Sequence, residues 1–193
     1  MTTKIEIPKQ DMAKITLHVK GLTPFISHRM NENFRETKSI KKELTPKDLD
    51  IIYGRTLYLT HDKKIPGIPA AAFSKCGEES AKGKGWWTGS DIDGKKFKGG
   101  VQVIGQVLPL VGKGLKETRR VDVVRVGRGA PDIRYRMSFE NWECSIPLII
   151  NLNLMSVENV LKVFAVAGTA IGVGDWRPQR SGTFGMFELI GVE

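Results

Sequence analysis

A cluster of arginines at positions 119 to 136 is the clearest candidate for a functional group of residues in this sequence. Six arginines and no lysine fall within these eighteen residues. A guanidinium holds its N–H donors in a planar fork that matches two oxygens of one phosphate, so this run favours phosphate contacts. The candidate phosphate-binding residues of the run are Arg119, Arg120, Arg125, Arg128, Arg134 and Arg136.

A second candidate segment is the glycine-rich stretch GKGWWTGSDIDGKKFKGG, which runs from Gly83 to Gly100. Six glycines in eighteen residues disfavour a helix or a long strand, so a long, mobile loop is predicted. Indole rings in such a basic loop can stack on bases, and each contact is worth about 1–3 kcal/mol. With the preceding lysine included, the candidate binding residues are Lys82, Lys84, Trp86, Trp87, Lys95, Lys96 and Lys98.

A third candidate segment, GVGDWRPQRSGTFG, runs from Gly172 to Gly185. Its glycines predict flexible ends around a short tip, and backbone amides freed by glycine can cradle phosphate. The candidate binding residues of the tip are Trp176, Arg177 and Arg180. Residues 175 to 180 contain no other large apolar side chain, so Trp176 is expected to be exposed. The alternative is that Trp176 is buried beneath the loop.

The distribution of charge supports a polyanionic partner for these segments. The net charge is +9 and the pI is near 9.6, which favours nucleic acid as that partner. Residues 82 to 136 hold thirteen basic and five acidic residues, whereas the remainder holds seventeen and sixteen. Such segregated charge displaces counterions from nucleic acid and gives sequence-independent, salt-sensitive affinity. In the alternative interpretation, the basic residues only solvate an exposed ribbon, and Trp86 and Trp87 fold back onto the sheet.

The sequence lacks the residue patterns expected for metal binding, for a P-loop and for a membrane span. The histidines, His18, His28 and His61, show no HExxH or paired-cysteine spacing, so neither a metal nor another cofactor is predicted. Neither GKG is followed by the Ser or Thr and helix of a P-loop. The polar start of the sequence and the absence of an apolar run of about 18 residues predict no membrane association. A cytoplasmic location with reduced Cys76 and Cys144 is expected.

The elements that must position these residues follow from hydrophobic periodicity. The alternation in KITLHVK predicts a first strand over 14–20, and further strands are predicted over 55–60, 101–110, 119–126, 133–139, 145–154 and 187–193. A short helix is predicted at 46–53, and IPGIP should lead directly into a helix over 70–82. Ser156 is predicted to cap a second core helix. This order indicates an α+β fold, with an antiparallel sheet that carries helices on one face.

Three segments, in their order along the chain, resemble the RAMP superfamily. These ferredoxin-like RNA-binding proteins include backbone subunits and processing nucleases of CRISPR systems. ITLHVKGLTPF resembles the opening strand of the family, and KKIPGIPAAAFSKC resembles its entry into the first helix. GVGDWRPQRSGTFGMFEL resembles its C-terminal glycine-rich loop and final strand.

The resemblance implies a ferredoxin-like (RRM-like) sheet in one RAMP-like domain over 1–193. It also implies excursions at about 29–54, 83–99 and 113–136, the last of which would be a thumb-like β-ribbon. Backbone members of the family polymerise along their strand, so self-association or assembly with similar subunits is expected. Some members cleave RNA with a histidine shortly after the first strand, and His28 occupies a comparable position.

Three functions follow as hypotheses. The preferred one is a non-catalytic, largely sequence-independent binder of single-stranded RNA or DNA. The runner-up is a metal-independent endoribonuclease, with His28 as general acid or base and Arg29 stabilising the charge of the phosphorane. The third is a viral structural or inhibitory protein, acting in the host cytoplasm, whose basic face binds an acidic protein.

Overall fold

A four-stranded antiparallel sheet forms the centre of the computed structural model, which describes residues 9–29, 44–62, 64–125 and 131–193. Its strands are β1 (Met12–Gly21), β5 (Val101–Val103), β9 (Glu143–Asn151) and β10 (Phe187–Val192). They lie in the order β10–β1–β9–β5. The alternation that predicted β1 is observed, because Leu17 and Val19 are buried while Lys14 and Lys20 are exposed.

Two helices pack against this sheet, α2 (Ala70–Ala81) and α4 (Val157–Ala170). Ser156 caps α4 as predicted, since its hydroxyl accepts a hydrogen bond of 3.2 Å from the amide of Asn159. The two helices also contact each other, and the Ser80 hydroxyl donates to the Val163 carbonyl at 3.1 Å. These contacts confirm the predicted arrangement of core helices on an antiparallel sheet.

A long two-stranded β-ribbon belongs to a second sheet. It consists of β7 (Lys116–Arg125) and β8 (Pro131–Glu140), and β8 also pairs with the short strand β2 (Phe25–Ser27). The base of the ribbon is fixed by Phe139, whose ring lies 6.2 Å from that of Phe25. The structure thus contains the ribbon that was predicted near 113–136, with strands that begin two or three residues earlier than expected.

A third sheet is made of β3 (Tyr58–Leu59), β4 (Pro66–Pro69) and β6 (Val107–Pro109). The strand predicted over 55–60 is shorter because helix α1 (Pro46–Arg55) continues beyond the predicted 46–53. The strand predicted over 101–110 is divided, since β5 pairs with β9 whereas β6 pairs with β4. Gly105 lies between these two strands with a φ of 111°, a conformation that favours glycine.

The prediction that residues 83–100 form only a loop is wrong, because helix α3 (Gly94–Gly100) lies within them. Asp93 caps this helix through hydrogen bonds from the amides of Lys95 and Lys96. Phe97 is buried, with its ring 5.9 Å from that of Phe164. A cap and one buried aromatic side chain therefore outweigh the low helix propensity of three glycines.

Within residues 9–29, 44–62, 64–125 and 131–193, none of the helices combines the length and apolar character that crossing a membrane would require. The predicted excursion at 29–54 includes α1, and its residues 30–43 lie outside the described residues.

Candidate nucleic-acid interface

The two faces of the ribbon differ in character because strand residues alternate between them. In the register of β7 with β8, Arg120 lies opposite Arg136 and Asp122 lies opposite Arg134, so these four charged residues share one face. The other face carries Arg119 and a row of apolar residues. The predicted run of phosphate-binding arginines is therefore divided between two surfaces.

Arg136 is fully buried at the base of the ribbon. Its Nη2 lies 2.7 Å from the Asp122 carboxylate, and its Nη1 lies 2.6 Å from the Asp175 carboxylate. Arg120 joins the same group through its Nη2, 3.0 Å from Asp122. The prediction that Arg136 contacts phosphate is corrected by this geometry, because a guanidinium held by two carboxylates and shielded from solvent offers no donor to a strand.

Asp175 connects the ribbon to the end of β2. His28 Nδ1 lies 3.0 Å from an Asp175 oxygen that Arg136 also contacts. The hydrogen bond from His28, assisted by Arg136, lowers the pKa of the Asp175 carboxyl to about 2 although burial opposes this shift. Because an ionised carboxylate can only accept, the proton of this bond belongs to Nδ1 of His28. The Nε2 atom of His28 then remains for other chemistry.

Trp176 lies half-buried over this charged group and is not an isolated side chain at an exposed tip. The guanidinium of Arg136 is 4.2 Å from the centre of its ring, and the ring of Phe184 is 6.1 Å away. The expectation of an exposed Trp176 without an aromatic neighbour is therefore wrong. Its φ of 51° is rare for a bulky residue, and such backbone conformations persist only where surrounding contacts impose them.

The glycine-rich loop, residues 172–185, is tightly packed against itself, which differs from the predicted flexible ends. A Cβ atom on Gly182 would lie 1.7 Å from the Trp176 carbonyl oxygen, and one on Gly185 would lie 1.7 Å from that of Val173. The amide of Asp175 also donates to the Ile26 carbonyl at 3.1 Å. These close approaches hold Asp175 and Trp176 against β2 and the ribbon.

The second face of the ribbon carries Arg119 and three exposed β-branched residues. Arg119 lies 2.6 Å from Asp50, and its guanidinium is 5.1 Å from the centre of the Tyr53 ring. Burial raises the pKa of the Tyr53 hydroxyl. Val121, Val123 and Ile133, each more than half exposed, form what we call the apolar strip.

The other predicted arginines differ in whether their guanidiniums are exposed and available to contact phosphate. Arg125 and Arg180 are exposed and form no ion pair with the described part of the chain. Arg177 is engaged by the Gly174 carbonyl and the Gln179 side chain. Arg134 is mostly buried, with Nε 3.6 Å from Asp132. Arg128 lies outside the described residues.

The predicted residues of 82–98 lie on different elements from the ribbon. Trp87 packs partly into the core and donates its Nε1–H to the Ser80 carbonyl at 2.8 Å, whereas Trp86 is 47% exposed. Lys82 is paired with Glu78 and Glu79 on α2, and Lys96 is paired with Asp91. Lys84, Lys95 and Lys98 are exposed. The alternative in which both tryptophans fold back thus holds for Trp87 alone.

A small cavity of about 120 Å³ lies between the glycine-rich loop and α2. Lys75 and Arg177 line it, together with Cys76, whose thiol has a pKa raised to about 12 by burial. Such a thiol stays protonated and is a poor nucleophile. In the portion of the chain that the structure describes, no group of three or more His, Cys, Asp or Glu residues could hold a metal ion.

Sequence reasoning missed the acidic partners of the site. Asp122 and Asp175 organise the buried group, and Phe184 supports Trp176. Arg120 and Asp122 occupy alternate positions of a strand and therefore share one face. This spacing could have been used to predict that they pair. The contact to Asp175, fifty-three residues later than Asp122 in the sequence, had no local signal.

Comparison with solved structures confirms the predicted α+β fold with its ferredoxin-like antiparallel sheet. No protein-family model and no curated protein matches the chain. The cryo-EM structure of the type III-B Cmr-beta bound to cognate target RNA matches with a TM-score of 0.55 and 11% identity, over 94% of this chain and 60% of that one. The chain therefore spans three fifths of that neighbour. The crystal structure of Cmr6 from Pyrococcus furiosus matches with a TM-score of 0.51 and 9% identity, over 94% of this chain and all of that one.

Proposed function

We propose that this protein is a non-catalytic, largely sequence-independent binder of single-stranded nucleic acid, with RNA as the preferred ligand. The observation that carries this proposal is the long ribbon with exposed Arg119 and Arg125 beside the glycine-rich loop with exposed Arg180. These guanidiniums can reach phosphates, whereas the buried ion pairs beneath them hold the ribbon and loop in position. The choice of RNA rests on the likeness to the RNA-bound Cmr-beta structure.

Assembly with a second copy or a similar subunit is part of this proposal. The apolar strip supports it, because neighbouring exposed apolar side chains can form a contact with a protein partner. Arginines lie on the same element, so an assembly through the strip would bring basic surfaces of neighbouring subunits together. A continuous basic path along one strand would result.

Salt dependence tests the binding function. We expect that substituting Arg119, Arg120, Arg125 and Arg128 by Ala weakens binding to single-stranded RNA and flattens the slope of log affinity against log salt. Each phosphate contact that is lost should reduce that slope by about 0.7. Gel-shift titrations with single-stranded RNA, single-stranded DNA and duplex at several salt concentrations measure the effect.

The matched control is a variant that removes four exposed charges outside the ribbon, by substituting Ala for Lys9, Lys14, Lys20 and Lys64. Its slope should stay close to that of the wild type. If the arginine variant keeps the wild-type slope, the ribbon does not bind phosphate. Preferential binding of an acidic protein would instead favour the third hypothesis.

Metal-independent cleavage of RNA is a second candidate function, favoured by the 3.0 Å contact between His28 and Asp175. A carboxylate that orients an imidazole through Nδ1 leaves Nε2 able to accept a proton. In such cleavage, a 2′-hydroxyl would lose its proton to Nε2 and attack the adjacent phosphorus to form a cyclic phosphate. The bond from phosphorus to the 5′-oxygen would break, and that oxygen would take a proton from water. The exposed Arg29 adjoins His28 in sequence and could stabilise the added negative charge.

Substitution of His28 separates the two candidate functions. We expect His28→Ala to bind RNA nearly as well as the wild type, and we expect neither protein to cleave RNA in the presence of EDTA. Denaturing gels of end-labelled RNA measure cleavage. If the wild type produces fragments with cyclic phosphate ends and His28→Ala does not, the nuclease function replaces the non-catalytic one.

A further inference from the structure

An exposed indole occupies the surface where α2 ends and α3 begins. The ring of Trp86 rests against Gly83, since a Cβ atom on Gly83 would lie 2.3 Å from Cδ2 of the indole. The amide of Trp86 donates to the Gly83 carbonyl, and the Ser90 amide donates to the Trp87 carbonyl. This hydrogen-bonded turn buries much of Trp87 and presents Trp86 to solvent.

Three exposed lysines that form no ion pair in the described chain lie on the segments next to this indole. Lys84 lies two residues before Trp86, and Lys95 and Lys98 lie on α3. The start of α3 adjoins the end of α2, because a Cβ atom on Gly94 would lie 2.4 Å from Cγ of Lys82. We name this surface, formed by Lys84, Trp86, Lys95 and Lys98, the lysine face.

The lysine face is separate from the ribbon. Helix α3 packs on α2 and β5, whereas the ribbon packs on β2 and α1. The carboxylates of Glu78 and Glu79 lie on α2 between Lys82 and the glycine-rich loop, where Gln179 donates to Glu79 at 3.1 Å. Because Lys75 and Lys82 pair with these two carboxylates, the cluster is close to neutral and attracts phosphates little between the two basic surfaces.

We propose that the lysine face is a second binding site for single-stranded nucleic acid, so that one protein molecule holds two strand segments at once. The proposal rests on the proposed function for the class of ligand, but its residues are different. An exposed indole near solvent-exposed ammonium groups matches a ligand that offers both aromatic faces and phosphates. An acidic protein would satisfy the lysines and leave the indole without a stacking partner.

A bridging assay tests this proposal. A biotinylated oligouridine is fixed on beads, and a fluorescent oligouridine, which cannot pair with it, is added with the full-length protein. The wild type should retain the fluorescent strand. The variant with Lys84, Trp86, Lys95 and Lys98 changed to Ala should lower retention at least about fivefold, the effect of losing a single stacking contact. It should keep its direct affinity for one oligouridine.

Controls make each outcome of the assay decisive. The variant with Lys9, Lys14 and Lys20 changed to Ala removes three exposed charges elsewhere and should bridge like the wild type. Mass photometry follows the number of subunits, and thermal unfolding verifies that each variant is folded. Undiminished retention by the lysine-face variant would overturn the proposal, because paired copies with one site each would then form the bridge.

Two further results would also overturn it. The first is a wild type that binds one oligouridine but retains no second strand. The second is a lysine face that binds polyglutamate and not oligouridine, which would indicate an acidic protein partner. By contrast, if only the lysine-face variant, and not the ribbon variant, loses affinity for one oligouridine, the ribbon assignment fails while the lysine face remains a nucleic-acid site. Failure of the proposed function is thereby distinguished from failure of this inference.

Discussion

Arg136 and Trp176 depend on each other at the base of the ribbon. A buried guanidinium is tolerated when carboxylates pair with it, and Asp122 and Asp175 do so at 2.7 and 2.6 Å. The ring of Trp176 covers the same guanidinium from 4.2 Å, so it both excludes water and adds a cation–π contact. Trp176 therefore contributes to stability as well as to any binding surface.

Substitution of Trp176 tests this structural role. We expect Trp176→Ala to lower the free energy of unfolding by about 2 kcal/mol, below the 3–5 kcal/mol of a fully buried tryptophan because the side chain is only half-buried. Denaturant unfolding monitored by circular dichroism measures the change. The exposed Trp86 offers the matched control, and Trp86→Ala should alter stability little. A large loss of RNA affinity with unchanged stability would contradict the role assigned to Trp176.

At the scale of elements, a chain of hydrogen bonds and ion pairs joins three segments that are distant in sequence. It runs from His28 after β2, through Asp175 in the glycine-rich loop and Arg136 on β8, to Asp122 on β7. Because each member contacts the next, a change at Asp175 affects the attachment of the loop to the ribbon. This coupling makes the stability of both elements sensitive to the charge of Asp175.

The charge of Asp175 predicts a particular response to acid. Folding lowers the pKa of this carboxyl from 3.8 to about 2, so its ionised form contributes stability above about pH 4 and loses that contribution as the pH falls toward 2. The contribution is on the order of 2 kcal/mol. We expect Asp175→Asn to be less stable than the wild type at pH 7, and the two proteins to become similar near pH 2.

Urea unfolding at a series of pH values measures this difference. Among the described residues, the exposed carboxylate of Glu158 pairs only with Lys162 on the same helix. Glu158→Gln should therefore have a small effect throughout and is a suitable control. A stability difference between Asp175→Asn and the wild type that does not change between pH 7 and pH 2 would contradict the coupling.

At the scale of the whole molecule, the excess charge of +9 is not one continuous patch. The ribbon arginines lie on β7 and β8, and the lysine face lies on α3 and the turn before it. Helix α2 carries Glu78 and Glu79, which pair with Lys75 and Lys82. The apolar strip adds a surface suited to a protein partner on the same ribbon. The apolar strip therefore shares a ribbon face with Arg119 and Arg125, whereas the lysine face lies on other elements.

Local features of the sequence were sufficient to predict the main helices and strands. Alternation at Ile15, Leu17 and Val19 determined a strand, and Ser156 with its apolar spacing determined the start of α4, because these signals act between residues close in the chain. The α+β class followed from the order of such elements, and the ferredoxin-like sheet was implied by the resemblance of three segments to the RAMP superfamily. Helix α3 escaped prediction because its stability comes from Phe97 packing on Phe164, a contact made across sixty-seven positions.

Composition by itself determined that the protein is basic and that its arginines are concentrated in one segment. Which of them reach solvent was decided only by tertiary structure, since strand register assigns Arg119 and Arg136 to opposite faces and the glycine-rich loop supplies Asp175 to bury one of them. The sequence likewise gave no sign of which of the neighbours Trp86 and Trp87 would be exposed. One indole became available for stacking and the other did not because a turn directs only Trp87 toward the Ser80 carbonyl.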